Sequence, residues 1–217
     1  MAVEDFTAYT ESDPGSEITV TSTKVSWASM ARDVDSWVVD DKGVDHFDGD
    51  FTHLVETQLT ADGSTGLGTF WAIANAIDTW DDIDAAGGSQ LLAFFYGTGP
   101  AIYIREIDSG TQYSDTSVNL SAGTTYYLEI ERDESVGTHG TLYCRIYSDS
   151  GRTTLVDTLS IALHSSKKDF RYIYACQNLN TGDSGASRES TAFSQNLDLQ
   201  EAGGVSVAPR LTLMGVG

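Results

Sequence analysis

Three carboxylates in the segment LEIERDE could carry acid–base chemistry, because Glu129, Glu131 and Asp133 alternate along one predicted strand. Alternate residues share a strand face, which would place Glu129 and Glu131 about 7 Å apart at the backbone. Inverting glycosidases separate their two carboxyl groups by roughly 6.5–9.5 Å and retaining ones by about 5–5.5 Å. The spacing therefore allows a glycoside hydrolase. The alternative is a solvated strand face, the usual place for charged residues; we favour it and predict no catalytic residues.

Two loops rich in aspartate could bind a divalent cation. Calcium prefers roughly six to eight oxygen ligands, and a flexible acidic loop can supply them. The first loop, DTWDDID, lacks the EF-hand spacing and contains Asp78, Asp81, Asp82 and Asp84. The second has Gly43 and Gly49 among Asp40, Asp41, Asp45, Asp48 and Asp50. Ordinary turn chemistry is the alternative for both, since aspartate favours turns. Calcium is the candidate cofactor, and a chelator should then lower the melting temperature.

Carbohydrate binding needs exposed aromatic rings beside hydrogen-bonding groups. The candidates are Trp80 in the first acidic loop, and Tyr143 and Tyr147 on the outer face of a strand. A carbohydrate site at this loop would show Trp80 exposed next to a polar groove, and Trp80→Ala would then abolish binding on a glycan array. Core or rim packing is the alternative for any single aromatic residue, and we expect it for Trp27, Trp37 and Trp71.

Other chemistries find no support in the sequence. The histidines are scattered one per segment without ligand or relay spacing, at positions His46, His53, His139 and His164. No Gly-x-Ser-x-Gly turn is present, and the glycine-rich stretches precede predicted strands, whereas a phosphate-binding loop precedes a helix.

The charge excludes some partners. Asp and Glu number 32 against 12 Lys and Arg, a net charge of −20. Such a surface repels phosphate backbones and anionic membranes, so we expect neither nucleic acid nor membrane as a partner. No apolar run reaches the roughly 20 residues of a membrane helix. The start, MAVEDFTAYTESD, lacks the basic and apolar stretches of a signal peptide.

Strands must position all these residues, because apolar residues recur at every second position and no long stretch has a helical period. In TYYLEIER the period places Tyr126, Leu128 and Ile130 on one face, and in TLYCRIYS it turns Leu142, Cys144 and Ile146 inward. The apolar segment QLLAFFYG predicts a central strand covered on both sides. Residues 79–90 read as a loop that could start with a helical turn. We predict strands at about 17–22, 25–30, 36–39, 50–59, 68–77, 90–96, 101–107, 125–132, 141–148, 153–163, 169–178 and 188–199.

The resulting pattern is that of an all-β, two-sheet antiparallel β-sandwich. The segment GTTYYLEIERD…GTLYCRIYSDSGRTTLVDTLSI, with the closing SRESTAFSQNLDLQE, resembles the concanavalin A-like lectin/glucanase superfamily, and most of all its laminin-G-like modules seen in phage and environmental proteins. The resemblance implies a jelly roll. Laminarinase-type members carry Glu-x-Asp-x-Glu on one strand, whereas this chain has Glu-x-Glu-x-Asp. Because the superfamily includes lectins, glycosidases and structural modules, the resemblance implies no single function.

The two cysteines, Cys144 and Cys176, lie in predicted strands. They could form a disulfide only if those strands are neighbours, which the sequence does not decide.

We divide the chain into a sandwich domain, residues 1–201, and a tail, residues 202–217 (AGGVSVAPRLTLMGVG), hinged at Gly203–Gly204. Residues 203–217 could add a strand to a neighbouring subunit, or could be a frayed end. The first hypothesis for function is a non-catalytic virion or surface structural protein, located in a virion or outside cells, that assembles into oligomers through this arm. A glycan-binding module is the second hypothesis, compatible with the first, and a glycoside hydrolase is the third.

Overall fold

Fourteen strands and one short helix form from the described part of the chain, residues 3–62, 66–96, 100–166 and 169–201 of the computed structural model. The strands are β1 (Thr10–Ser12), β2 (Ile18–Val20), β3 (Lys24–Met30), β4 (Trp37–Asp41), β5 (Phe51–Asp62), β6 (Leu67–Ala74), β7 (Gln90–Tyr96), β8 (Ala101–Asp108), β9 (Thr111–Asn119), β10 (Tyr126–Asp133), β11 (Thr141–Tyr147), β12 (Leu155–Ala162), β13 (Tyr172–Gln177) and β14 (Ser190–Glu201). Helix α1 (Trp80–Ala85) lies between β6 and β7, and single 3-10 turns span Phe6–Ala8 and Ala186–Arg188.

The strands build two antiparallel sheets of seven strands each. Sheet A has the order β1-β4-β13-β6-β7-β8-β9, and sheet B has the order β12-β11-β10-β5-β14-β3-β2. The predicted all-β, two-sheet sandwich is therefore confirmed. No helix among the described residues is long and apolar enough to cross a membrane.

The core between the sheets follows the predicted alternation. On β10, Leu128 and Ile130 are fully buried, and on β11 Leu142 and Ile146 are fully buried opposite them. Each large apolar side chain removed from water contributes about 1.5–3 kcal/mol. The expected inward faces of both strands are thus confirmed, and β7 is the expected central strand, with buried residues on both sides.

Two strands escaped prediction, β1 and β9, and both lie at an edge of sheet A. An edge strand has one neighbour and needs few apolar side chains to hold it. The segments TES and TQYSDTSVN accordingly lack the alternation that reveals a central strand. The helical turn allowed for the start of residues 79–90 forms as α1.

The two cysteines lie in different sheets, Cys144 on β11 and Cys176 on β13, and both thiols are free and buried. The condition for a disulfide, neighbouring strands, is therefore not met. Burial raises the pKa of both thiols. Both thus act as small apolar side chains in the core.

Candidate functional site

The outer face of sheet A is covered at its centre by α1. The helix is amphipathic: Trp80 and Ile83 are buried against the sheet, whereas the aspartates between and after them stay partly or fully exposed. Underneath lie outward side chains of β6 and β7, among them Ala72, Leu92 and Phe94. A second apolar cluster thus forms outside the sandwich core.

Buried polar side chains fasten this segment to the sheet. The Tyr174 hydroxyl donates to the carbonyl of Ala76 at 2.9 Å and accepts from the amide of Asp78 at 3.1 Å. The Gln177 amide donates to the carbonyl of Asp78 at 3.1 Å, and the Gln90 amide donates to the carbonyl of Trp80 at 2.9 Å. Each bond satisfies a group that would otherwise be buried without a partner. The position of α1 over sheet A is therefore fixed from below.

Beside α1 the outer face opens into a cleft of about 270 Å³, which we call the Trp80 cleft. Aromatic rings form a continuous series along it. The Trp80 and Phe94 rings are 4.8 Å apart, Phe94 stacks on Tyr103 at 5.3 Å, and Tyr96 meets Tyr103 edge-on at 5.8 Å. Its lining consists of Arg32, Leu67, Trp80, Asp81, Phe94, Tyr96, Arg105, Gln112, Leu179 and Thr181.

Polar groups converge on the same cleft. The Arg105 guanidinium lies 5.1 Å from the Trp80 ring centroid and donates to the Gln112 side chain at 2.9 Å. Arg32 donates to the Thr181 hydroxyl at 3.2 Å. The Trp80 indole N–H is buried without a hydrogen-bond partner among the described residues. Burial, followed by the charges of neighbouring aspartates, raises the pKa of the Asp81 carboxyl. The cleft thus combines aromatic surface with donors and one carboxylate.

The three predicted carbohydrate-binding residues do not meet in one place. Trp80 lies over sheet A, whereas Tyr143 and Tyr147 lie on the outer face of sheet B. The exposure that a site at Trp80 called for is not found, since only 2 % of the surface of Trp80 is accessible and the side chain packs as the alternative had it. The reason is the three-residue spacing from Trp80 to Ile83, which puts both on the sheet-facing side of α1. Whether any of the three binds carbohydrate stays a prediction.

Tyr143 and Tyr147 belong to a second surface, which we call the tyrosine face. Its residues are the outward side chains of β10 and β11, namely Tyr127, Glu129, Glu131, Tyr143, Arg145 and Tyr147. Arg145 donates to Glu129 at 2.7 Å and also to Glu131. The two carboxylates considered above for glycoside hydrolysis are thus the ion-pair partners of one guanidinium.

The third carboxylate of that segment, Asp133, is turned towards the following loop. It accepts from the amide of Ser135 at 2.9 Å and from the hydroxyl of Ser135 at 2.6 Å. These bonds lower the pKa of the Asp133 carboxyl. Asp133 thus caps a turn.

The acidic loops differ from the predicted metal site. Among the described residues, no three of Asp78, Asp81, Asp82 and Asp84 bring ligand atoms within 4.8 Å of one another; Asp45, Asp48 and Asp169 do. In the first loop the carboxylates spread apart because Asp82 accepts from the Thr79 hydroxyl at 2.5 Å and Asp84 accepts from Gln112 at 3.2 Å. In the second, Asp48 is buried and accepts from the amide of Phe170 at 2.9 Å. Calcium stays a prediction.

Sequence reasoning missed Phe94, Tyr96 and Arg105 in the lining of the Trp80 cleft, and it missed Tyr103, whose ring packs against Phe94 and Tyr96. A signal was present, because Phe94 and Tyr96 alternate on β7 while Tyr103 and Arg105 alternate on β8. Phe94 pairs directly with Tyr103 across the two strands. The two alternations become one row of rings only when the register is known.

The tail, residues 202–217, lies outside the described residues, so its proposed role as a docking arm stays a prediction. The virion or extracellular location and the oligomer also stay predictions.

Comparison with known proteins gives a fold. No protein-family model matches the sequence, and no curated protein sequence matches it. Three solved structures are similar in fold, each with a TM-score of 0.56: the alginate lyase Aly36B, a legume lectin-like domain from Entamoeba histolytica and an endo-1,3-beta-glucanase from Streptomyces sioyaensis.

The identities are low, and the coverage is nearly complete. The chain is 14% identical to the lyase, and the match covers 91% of this chain and 88% of the lyase chain. The lectin-like domain is 14% identical, and the match covers 90% of this chain and 90% of that domain. The glucanase is 11% identical, and the match covers 92% of this chain and 94% of the glucanase. Such identities establish a shared architecture and no shared activity. The chain therefore has the concanavalin A-like jelly-roll fold that its sequence resemblance implied.

Proposed function

We propose that the protein is a non-catalytic carbohydrate-recognition module that binds a saccharide in the Trp80 cleft. The observation that carries this proposal is the convergence of the Trp80, Phe94 and Tyr96 rings with the Arg32 and Arg105 side chains in one concave place. Sugar rings offer apolar C–H faces that pack on aromatic rings, and hydroxyl groups that bond to fixed polar side chains. Ligand sites in proteins have this composition, mostly apolar walls with a few placed polar groups.

The buried indole N–H of Trp80 supports the same proposal. A buried donor without a partner costs roughly 1–3 kcal/mol, and functional sites are where such costs are commonly retained. The alginate lyase of the same fold has been solved in complex with an alginate trisaccharide, at a TM-score of 0.54, so the fold is compatible with saccharide binding.

The lining of the cleft also supports a binding role over hydrolysis. Glycosidases use a pair of carboxyl groups, and the lining includes one carboxylate, Asp81. The Glu129–Glu131 pair lies on the opposite sheet, where both carboxylates pair with Arg145.

The test compares the two outer faces by substitution. Tyr96 borders the cleft and is 39% exposed, so Tyr96→Ala should leave the fold intact. We expect Tyr96→Ala and Arg105→Gln each to weaken saccharide binding about tenfold or more, a loss of about 1.4 kcal/mol. Binding is first located on a glycan array with the unmodified protein and then measured by titration calorimetry.

Tyr147→Ala and Tyr143→Ala on the tyrosine face are the matched controls and should bind like the unmodified protein. Loss of binding in these controls, with Tyr96→Ala unaffected, would move the site to sheet B and end the proposal. Release of shortened sugars from the bound glycan would show that the module is an enzyme.

A further inference from the structure

The two sides of the sandwich end in very different edge strands. On one side β1 and β2 close the sheets with three residues each. On the other side β9 has nine residues and β12 has eight, and each has one neighbour among the described strands. Proteins usually keep exposed edges short because a long edge offers unpaired N–H and C=O groups to another chain. The β9–β12 side is therefore the side suited to strand addition.

The first half of β12 projects beyond the sandwich. Its first four residues are all exposed, whereas Leu159 and Ile161 further along are buried in the core. Leu155 is 53% exposed and Val156 is 45% exposed. The pairing of β12 with β11 shifts register between Ile146 and Tyr147, so Val156 is the extra residue of a bulge and strict alternation does not hold there. This end of β12 presents the apolar side chains of Leu155 and Val156 beside an open edge. A single added strand covers the edge alone; a second folded body is needed to cover these side chains as well.

The tail, residues 202–217, follows directly after β14 and could reach an edge such as β12. Glu201 pairs with Phe51, and the register continues through Arg132 and Leu142 to Ile161 on β12. These four steps across sheet B correspond to about 19 Å at roughly 4.8 Å per strand. The 16 residues that follow Glu201 span up to about 50 Å when extended. The tail is therefore long enough to reach a β12 edge, either its own or that of a second copy.

The charges of the two segments are complementary. Residues 202–217 contain no Asp or Glu and one basic residue, Arg210, in a chain of net charge −20. The exposed half of β12 carries one charge, Asp157. Two copies of so acidic a protein repel each other, and the tail is the segment that avoids this repulsion. Within it, Pro209 cannot donate to a ladder, and of the two stretches that flank this proline, Arg210–Met214 is the one with a charge opposite to that of Asp157.

We propose that β12 is the edge to which a second copy of this chain adds residues 210–214 as a strand, with Leu211 and Leu213 on one face of the added strand. The protein self-associates through this contact. The inference is independent of the proposed saccharide site. If both hold, association links two Trp80 clefts and raises the apparent affinity for a polymeric glycan without any new contact.

Sedimentation velocity over a range of concentrations tests the proposal on the full chain. Val156→Lys alters the edge and Leu211→Asp alters the tail. Each has a control that adds the same charge elsewhere: Val136→Lys, at a residue that is 41% exposed in the β10–β11 turn, and Gly217→Asp at the chain end. We expect the unmodified chain and both controls to self-associate, and both test variants to dissociate at least tenfold more readily.

A monomeric full chain at every concentration, or a Val156→Lys variant that associates like its control, would overturn the proposal. Amide hydrogen exchange on the unmodified protein gives an answer that needs no variant. Protection of the β12 amides should rise with concentration. Protection that is strong and independent of concentration would mean that the chain pairs its tail with its own β12, which contradicts pairing with a second copy.

Discussion

Both outer faces of the sandwich carry aromatic residues, but the two faces hold them differently. Over sheet A, Trp80 of α1 and Phe94 of β7 are both buried, and the Arg105 guanidinium stacks on both rings. On sheet B, the tyrosine face leaves Tyr143 and Tyr147 partly exposed, and its arginine, Arg145, is engaged by two glutamates. One face is concave and fixed by buried hydrogen bonds, and the other is an open strand surface.

From this difference we expect depth, more than the number of aromatic residues, to select the binding face. A flat strand surface covers one side of a ligand, whereas a cleft surrounds most of the ligand's surface with apolar walls and a few placed polar groups. The covering segment creates the cleft: without α1 the outer face of sheet A would be as flat as sheet B. Breaking α1 should therefore abolish the contrast, and the largest expected effect is there.

Trp80→Ala should destabilise the protein by about 3–5 kcal/mol, the usual range for a buried tryptophan replaced by alanine. The ring is 2 % exposed and packs on Phe94 at 4.8 Å, so its removal leaves a cavity and frees α1. Tyr147→Ala, at a partly exposed position on β11, should cost about 1 kcal/mol or less. Urea unfolding measures both. Equal losses at the two positions would show that α1 adds nothing to the stability of sheet A.

The fold could be predicted from the sequence because it depends on local alternation. The faces of β10 and β11 follow directly from TYYLEIER and TLYCRIYS, since burial of Leu128 and Leu142 depends only on the period of two. The edge strands β1 and β9 were missed for the same reason, because a strand with little to bury has no such period. The edge strands β2 and β12, which bury Ile18 and Leu159, were predicted. Local pattern thus reveals strands that bury apolar side chains and leaves out strands that do not.

The candidate site was harder to predict because it depends on long-range register. Trp80 was identified from its residue type, but its partners come from β7 and β8 through the pairing of Phe94 with Tyr103. Asp169 joins Asp45 and Asp48 from more than a hundred positions away along the chain. No spacing in the sequence indicates these long-range contacts. They arise from the order of strands in the sheets, which the sequence left open.

Acid should destabilise the core that both faces share, through His53. This residue is fully buried, stacks on Phe51 at 4.4 Å and accepts from the Trp71 indole at 3.1 Å. Burial, with a smaller contribution from the charge of His46, lowers the pKa of His53 from 6.5 to about 3. The unfolded chain therefore takes up a proton at higher pH than the folded one. Stability is full above about pH 6.5 and falls below it by roughly 1.4 kcal/mol per pH unit.

Replacing His53 with glutamine keeps an acceptor for Trp71 and removes this titration. Between about pH 6.5 and 4.5 we expect the unmodified protein to lose roughly 2–3 kcal/mol more than His53→Gln does. His164→Gln, at an exposed position, is the control and should keep the slope of the unmodified protein. Parallel curves for His53→Gln and the unmodified protein would contradict this assignment. The same curves show the pH range in which the protein stays folded, and saccharide binding at the two faces should be compared within that range.

The smallest expected effect comes from replacing one arginine on each outer face, Arg145 on sheet B and Arg105 on sheet A, with methionine. Arg145→Met breaks two ion pairs whose side chains are all 29% exposed, and such partly screened pairs contribute about 0–1 kcal/mol. We therefore expect a loss of about 1 kcal/mol or less in urea unfolding, smaller still at about 1 M salt, where the Debye length is about 3 Å. Saccharide binding should be unchanged. Arg105→Met should show the reverse, nearly unchanged stability and weakened binding. If Arg145→Met weakens binding instead, the tyrosine face contributes to recognition despite its openness, and depth alone does not select the site.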